Sequence, residues 1–471
     1  DASTTVELVR KVLSHHAELY SSERTLQQDA DVVAAYITAE LSSLPNAEEV
    51  VTAEFAKAVF YRGEHAYLMG RIAHGARTIP LVLCWAHDEQ GPHVDAVLME
   101  EGDVSLLFSF TRSYFQVEVQ RPYDMVAFIN SLIPHKRVAE IYISLGYNKH
   151  GKTELYRNAL RHLARSQDKY QLAEGQRGMV MIVFTMPSYP VVFKIIRDHF
   201  AYPKDCSRES VIDRYHLIFK HDRAGRLVDA QEYEYLALDR ARFDEELLSE
   251  LNREARGTVA VEGDQVVIKH CYAERRVEPL DVYLRKQGTD LACRAALDYG
   301  QAIKELALTN LFPGDLLTKN FGVTRRGRVV FYDYDEVCLL TECNFRKLPD
   351  TGNYDDELAA EPWYGVSPHD VFPEEFINFL GLSQELKQVF LQHHGDLLTP
   401  SFWESLKHRI EEGALFHVAP YAKRKRLDRQ ALLKHGPGDH TSNLKKTTSH
   451  IPSDSVRDAA DAKLTCLERG H

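Results

Sequence analysis

Residues 312–336, FPGDLLTKNFGVTRRGRVVFYDYDE, constrain this chain more than any other stretch. Asp315 is followed five positions later by Asn320, and Asp333 comes thirteen positions after that, just past the strand-like run Arg328–Phe331. Three polar groups are thereby set on a turn, a short linker and a strand end.

Phosphoryl transfer can use such a layout. In protein kinases a catalytic-loop Asp accepts the substrate hydroxyl proton, an Asn five residues on holds one Mg²⁺, and a later Asp holds the Mg²⁺ that bridges the ATP phosphates. Asp315, Asn320 and Asp333 stand in that order and spacing. Pro313-Gly314-Asp315 replaces the usual H-R-D, however, and Asp333-Tyr334-Asp335 replaces D-F-G. Alone, the segment also reads as a β-hairpin loop closed by Asx turns, because Asp and Asn hydrogen-bond locally in turns.

Upstream residues break the tie. Ala173, Glu174, Gly175, Gln176, Arg177, Gly178 and Met179 form a short loop with two glycines, followed by a strand predicted over Val180–Met186. Such a loop lets backbone N–H groups approach phosphate oxygens. Pro187-Ser188-Tyr189-Pro190 turns the chain, and a second strand over Val191–Ile196 carries Lys194 among apolar neighbours. A lysine in that setting requires a partner. Glu209, Glu232 and Glu234 are all candidates. Ser210–Leu251 reads as mainly helical, and Asp229 stands just before a helical run from Glu232, where an N-cap role competes with a chemical one. Leu291–Leu308 reads as an amphipathic helix beneath the Asp315 loop.

The first 165 residues read as an α+β unit without a catalytic constellation. Two helices are predicted over residues 5–42, strands over Ala66–Ile72, Thr78–Cys84, Leu106–Phe110 and Phe115–Val119, and helices over Tyr123–Leu132 and Thr153–Leu163. Pro80 places the second strand on a sheet edge. Regulation, dimerisation or partner binding are its expected tasks. The paired histidines, His15-His16 and His393-His394, point to different helix faces and read as capping or solvated groups.

A net charge of -12 argues against non-specific nucleic-acid binding. The basic run Lys423–Arg426 then reads as a solvated helix face. The seven cysteines contain no CxxC, which fits reduced thiols in a cytosol. Cys338 and Cys343 have no second ligand pair nearby for zinc. No run reaches the roughly 18 apolar residues of a membrane span. A soluble, cytoplasmic protein is expected, with a disordered tail over 436–471.

The segments RGMVMIVFTMP, VFKIIRD, KHDRAGRLVDAQEYE, LFPGDLLTKNFGVTRRGRVVFYDYDEV and ELAAEPWYGVSPHDVFPEEF resemble the isocitrate dehydrogenase kinase/phosphatase family, over about residues 50 to 430. The resemblance implies an α+β protein with a protein-kinase-like bilobal domain, taken as residues 166–435, preceded by an AMP-responsive regulatory domain over 1–165. It implies ATP with Mg²⁺ or Mn²⁺, and a serine of isocitrate dehydrogenase as the group phosphorylated and dephosphorylated. Ala173–Met179 and Lys194 then bind ATP, Asp315 is the kinase base, Asn320 and Asp333 hold the metal, and Asp229 is an active-site acid linked to phosphatase work. Glu174 stands where the family usually has proline, and the family's N-terminal helical region is longer. A homodimer is an open expectation. A non-catalytic pseudokinase and a small-molecule kinase are the rival readings.

Overall fold

Near-continuous burial along the long strands of residues 65–98 builds a sheet covered on both faces. The computed structural model describes residues 4–44, 51–349 and 365–428, apart from positions 76, 90, 111, 175, 176, 203, 205 and 222. The tail expected over 436–471 lies outside the described residues. Two compact units emerge, one running to Gly151 and taking in the chain from Ala419, the other Lys152–Val418.

The first unit opens with α1 (Thr5–Ser14) and α2 (Glu23–Ser42), whose N-termini are capped by the side chains of Thr4 and Ser22. The sheet consists of β1 (Val51–Phe55), β2 (Phe60–Arg62), β3 (His65–His74), β4 (Arg77–Asp88) and β5 (Gly91–Leu98), antiparallel in the order β1-β3-β4-β5 with β2 also on β3. Successive side chains point to opposite faces. Leu68, Leu83, Trp85 and Val97 pack on the apolar faces of α1 and α2, while Tyr67, Met69, Val82, Cys84, Ala96 and Leu98 face the other core. That second core is closed by α3 (Glu101–Leu107), α4 (Pro122–Leu132) and α5 (Val138–Ser144).

Three sequence expectations change here. Leu106–Phe110 is the end of α3 and the turn after it, because Val104, Leu107 and Phe108 are buried at helical spacing. Phe115–Val119 forms no strand; Gln116 makes a single bridge to Tyr61. Pro80 is not on an outer strand. β5 pairs only with Val82–Asp88 of β4, so the missing N–H of Pro80 falls beyond β5's reach. The last described residues also join this unit: Leu427 N–H donates to the Asp95 carbonyl at 2.8 Å and the buried Tyr421 hydroxyl to the Asp95 carboxylate at 2.9 Å.

In the second unit α6 (Asn148–Arg165) leads into an antiparallel sheet of β6 (Gln171–Leu172), β7 (Met181–Thr185), β8 (Val191–Ile196), β9 (Ala230–Asp239), β10 (Val259–Glu262) and β11 (Gln265–Arg275). β11 pairs with β9 along one edge, and with β10 and then β8 along the other. The helices α7 (Arg208–His221) and α8 (Glu245–Glu254) accompany this sheet. The largely helical reading of Ser210–Leu251 is therefore corrected: its middle is β9.

A second lobe follows, with β12 (Glu278–Pro279), α9 (Leu280–Lys286), α10 (Thr289–Leu308), β13 (Leu311–Phe312), β14 (Phe321–Val323), β15 (Val329–Phe331) and β16 (Cys338–Leu339), then helices Gln384–His394 and Pro400–Glu411. One core lies within the sheet lobe, and the other fills the second lobe and takes in Ile196, Tyr215 and Tyr272 of the first. Tyr170, Phe184, Phe193 and Phe243 fill the first, and Tyr299, Phe321, Phe331 and Trp403 the second.

Candidate active site

The catalytic-loop candidate is held from below by α10. Tyr299 on that helix donates its hydroxyl to the Leu316 carbonyl at 2.5 Å, anchoring the backbone next to Asp315. Gly314 has φ +78°, and a Cβ there would meet the Glu336 carbonyl oxygen at 2.6 Å. Glycine is thus required twice, by the left-handed backbone and by the close approach. The approach brings the Asp333–Glu336 turn against the Asp315 loop.

Asn320 is buried, and its Nδ2 donates to the Asp315 carbonyl at 3.2 Å. That bond fixes the orientation of the amide and so of Oδ1, the atom a metal would use. The hairpin β14–β15 then carries the chain from Asn320 to Asp333, with Tyr332 N–H donating to the Asn320 carbonyl at 3.2 Å. The five-residue spacing and the hairpin between the two residues thus join Asn320 to the Asp315 loop and to the strand that leads into Asp333.

Lys194 on β8 joins them from the other lobe. Its buried Nζ donates to the Tyr332 carbonyl at 2.8 Å and pairs with Glu274 Oε2 at 2.8 Å. None of the three expected partners is used. Glu232 instead pairs with His270 at 2.7 Å, and Glu209 lies exposed in the first turn of α7. Glu274 comes from β11, where Tyr272 stands opposite Lys194 in the antiparallel register. The Tyr215 hydroxyl of α7 also donates to Glu274, at 3.2 Å. Burial pushes the Glu274 carboxyl up, against the pull of Lys194 and the Tyr215 bond.

Four acids crowd the opening. Asp333 is partly exposed by surface area, yet desolvation by the protein around it, reinforced by a hydrogen bond with Asp335, pushes it up to about 8. Two carboxyl groups in contact cannot both ionise cheaply, which adds to the upward push on Asp333. Burial raises Asp315 too, with Glu336 adding to it, while Lys319 and Lys204 oppose. The Lys204 ammonium pairs with Asp335 at 3.2 Å and with Glu336. Sequence reasoning missed Glu274, Asp335 and Lys204. Only Asp335 carried a signal, as the second acid of the Asp333-Tyr334-Asp335 run.

Asp229 precedes β9, not a helix, so the N-cap reading falls. Its segment is drawn toward Asp333 by backbone pairing: Val228 N–H donates to the Phe331 carbonyl at 3.1 Å, and the Tyr334 hydroxyl to the Val228 carbonyl at 2.5 Å. Asp229 accepts from the Gln231 amide and adds to the upward push on Glu274. Beneath it Arg226, fully buried, holds Asp298 at 2.8 Å and Glu305 at 2.7 Å, and donates to the Val329 carbonyl at 2.8 Å.

The two-glycine loop spans the turn from β6 to β7, with Ala173 N–H donating to the Val183 carbonyl at 2.9 Å. Gly175 and Gln176 lie outside the described residues. A Cβ on Gly178 would stand 2.9 Å from the Met181 carbonyl oxygen. Arg177 turns to Glu246 and Glu250 of α8, Glu174 and Met179 are exposed, and Ala173 is half-buried.

The donor set suits a hard divalent cation. Among the described residues no group of three or more His, Cys, Asp and Glu could hold a metal alone. An ion here would combine the Asp333 carboxylate and Asn320 amide with substrate phosphates, the arrangement Mg²⁺ favours.

The family model described as the isocitrate dehydrogenase kinase/phosphatase (AceK) kinase domain matches residues 168–423, and the regulatory-domain model of the same family matches residues 2–167. The chain belongs to the isocitrate dehydrogenase kinase/phosphatase family. Curated proteins of that name are similar to it over most of its length. One from Anaeromyxobacter sp. (strain Fw109-5) is 50% identical over 424 residues, covering 90% of this chain and 74% of the relative. One from Pectobacterium atrosepticum is 44% identical over 407 residues, covering 86% and 68%. One from Xanthomonas euvesicatoria pv. vesicatoria is 48% identical over 379 residues, covering 80% and 66%.

Proposed function

We propose that this member of the family phosphorylates a serine of isocitrate dehydrogenase with ATP and removes the same phosphate, directing flux between the Krebs cycle and the glyoxylate bypass. The observation that carries the reading is Lys194 bridging Glu274 and the Tyr332 carbonyl beside Asp333, with Asn320 bonded to the Asp315 backbone. This arrangement supports a reading as the phosphate-binding and proton-accepting half of a kinase, in a chain whose relatives carry that name.

Asp315 accepts the serine hydroxyl proton; its raised affinity for protons suits a base that must take one up and release it. Lys194 neutralises ATP phosphate charge, held in place by Glu274. The Ala173–Met179 loop covers the phosphates with backbone N–H groups other than that of Ala173, which anchors the loop on Val183. Asn320 and Asp333 hold Mg²⁺ or Mn²⁺, which when bound would offset charge on the transferring phosphoryl group. Asp229 orients or activates the water that attacks phosphoserine in the reverse direction. The regulatory domain over 1–165, preceding the kinase domain over 166–435, responds to AMP. The setting proposed is the cytoplasm, with a homodimer as the assembly; no helix among the described residues is long and apolar enough to cross a membrane.

The test is transfer of labelled phosphate from ATP and Mg²⁺ to purified isocitrate dehydrogenase, then a chase with ADP and AMP. Labelling followed by release supports the proposal. No labelling while nucleotide still binds would contradict it and favour a non-catalytic role.

A further inference from the structure

Lys204 is a cation at the acid cluster to which the kinase reading assigns no role. It lies between β8 and α7, so it belongs to the sheet lobe, yet its ammonium lies against the far lobe's Asp335 at 3.2 Å and against Glu336. Glu336 is the residue whose carbonyl Gly314 approaches, and Asp335 shares a hydrogen bond with Asp333. Lys204 also acts electrostatically on both Asp315 and Asp333. One flexible side chain therefore pairs directly with Asp335 and Glu336 and, alongside Lys319 and Lys194, offsets charge on Asp315 and Asp333. Its backbone is tied locally, by Lys204 N–H donating to the Ala201 carbonyl at 3.0 Å.

A lysine head is a compact, movable point charge. A divalent cation at Asn320 and Asp333 would bring a second positive charge to the same acids, and like charges a few ångströms apart oppose each other even at an intermediate dielectric. We propose that Lys204 is a resident cation of the acid cluster, held across the cleft by Asp335 and Glu336 in the metal-free enzyme, and expelled when a divalent metal binds, which releases the segment that carries it. Lys204 is then a positioning residue that couples metal loading to release of a contact between the lobes. The inference rests on the metal reading of Asn320 and Asp333 given above.

The test is Mn²⁺ binding to the purified full chain, without nucleotide, followed by the paramagnetic resonance signal of free Mn²⁺. Wild type, Lys204→Met, Lys204→Arg and Asp333→Asn are compared, with melting temperatures to show that each is folded. Removing the internal competitor makes Lys204→Met bind Mn²⁺ tighter, on the order of tenfold. Lys204→Arg, which keeps the charge, stays within about twofold of wild type. Equal or weaker binding by folded Lys204→Met overturns the proposal while leaving the metal site standing. Wild-type binding that is absent, or unchanged in Asp333→Asn, overturns the metal reading and this inference together. Should Lys204→Met fail to fold, hydrogen exchange in wild type decides: amides of Ala201, Tyr202, Lys204 and Cys206 exchange faster on adding Mn²⁺ if the proposal holds, and at the same rate or slower if it does not.

Discussion

At the scale of single residues the site depends on a few atoms with no room for exchange. Gly314→Ala would force a Cβ to 2.6 Å from the Glu336 carbonyl oxygen at φ +78°. We expect a loss of roughly 1–3 kcal/mol in chemical unfolding, the range for strained backbone at functional sites, and a displaced Asp315. Asp315→Ala should behave differently. Its carboxyl is not part of the core, so the melting temperature stays put while kinase turnover falls by about 10² to 10⁴, the span usual for a general base. A folded Asp315→Ala with wild-type kinase turnover would remove it from the mechanism. Lys194 was recognisable in sequence as a lysine needing a partner, since its neighbours are apolar. Which acid answered was not, because Glu274 lies 80 positions away and reaches it only through strand pairing.

At the scale of elements, α10 and the strands above it are joined by polar contacts in a buried setting. Arg226 is fully enclosed and meets Asp298 and Glu305 of α10 while bonding the backbone of β15. Asp298→Ala leaves that guanidinium short of a partner and should cost about 3 kcal/mol, the lower end for breaking a buried pair because Glu305 remains. Denaturant unfolding of the variant checks this. His394 supplies the pH dependence. Its ring packs on Gly300 of α10 and hydrogen-bonds the Leu297 carbonyl at 3.0 Å, and burial lowers it from 6.5 to about 4. The fold therefore prefers neutral histidine. This stabilisation is present above the unfolded value near 6.5 and is lost as pH falls toward 4. His394→Gln should flatten the fall in unfolding free energy across that window; an unchanged slope would rule the histidine out.

Element reading from sequence succeeded where one period dominated and failed where pairing overrode composition. β7, β8 and α10 carry clear apolar patterns and came out close to their observed limits. β9 did not. AQEYEYLALD is rich in the helix formers Ala, Glu and Leu, and only its pairing with β11 makes it a strand. Tyr235, with φ +53°, interrupts the strand where Lys269 is skipped in the register. The same error concealed the position of Asp229, which was read against a helix that does not exist.

At the scale of the whole molecule, the proposed function places both directions of phosphoryl transfer in a single kinase-like cleft. Asp229, Lys194 and Asp315 come from separate stretches of chain, yet Phe331–Asp333 lies between them through the pairings of Val228 and Lys194 with that strand. If the phosphatase shares this cleft, Asp229→Ala should depress phosphate release while leaving nucleotide binding near wild type. The most direct measurement concerns the acid both reactions would share. Kinase and phosphatase rates on isocitrate dehydrogenase are measured side by side for wild type and Asp333→Asn. The account predicts that both fall together, by about 10² or more, as expected for loss of a charge-stabilising group. A variant that loses one activity and keeps the other at the wild-type rate would contradict it.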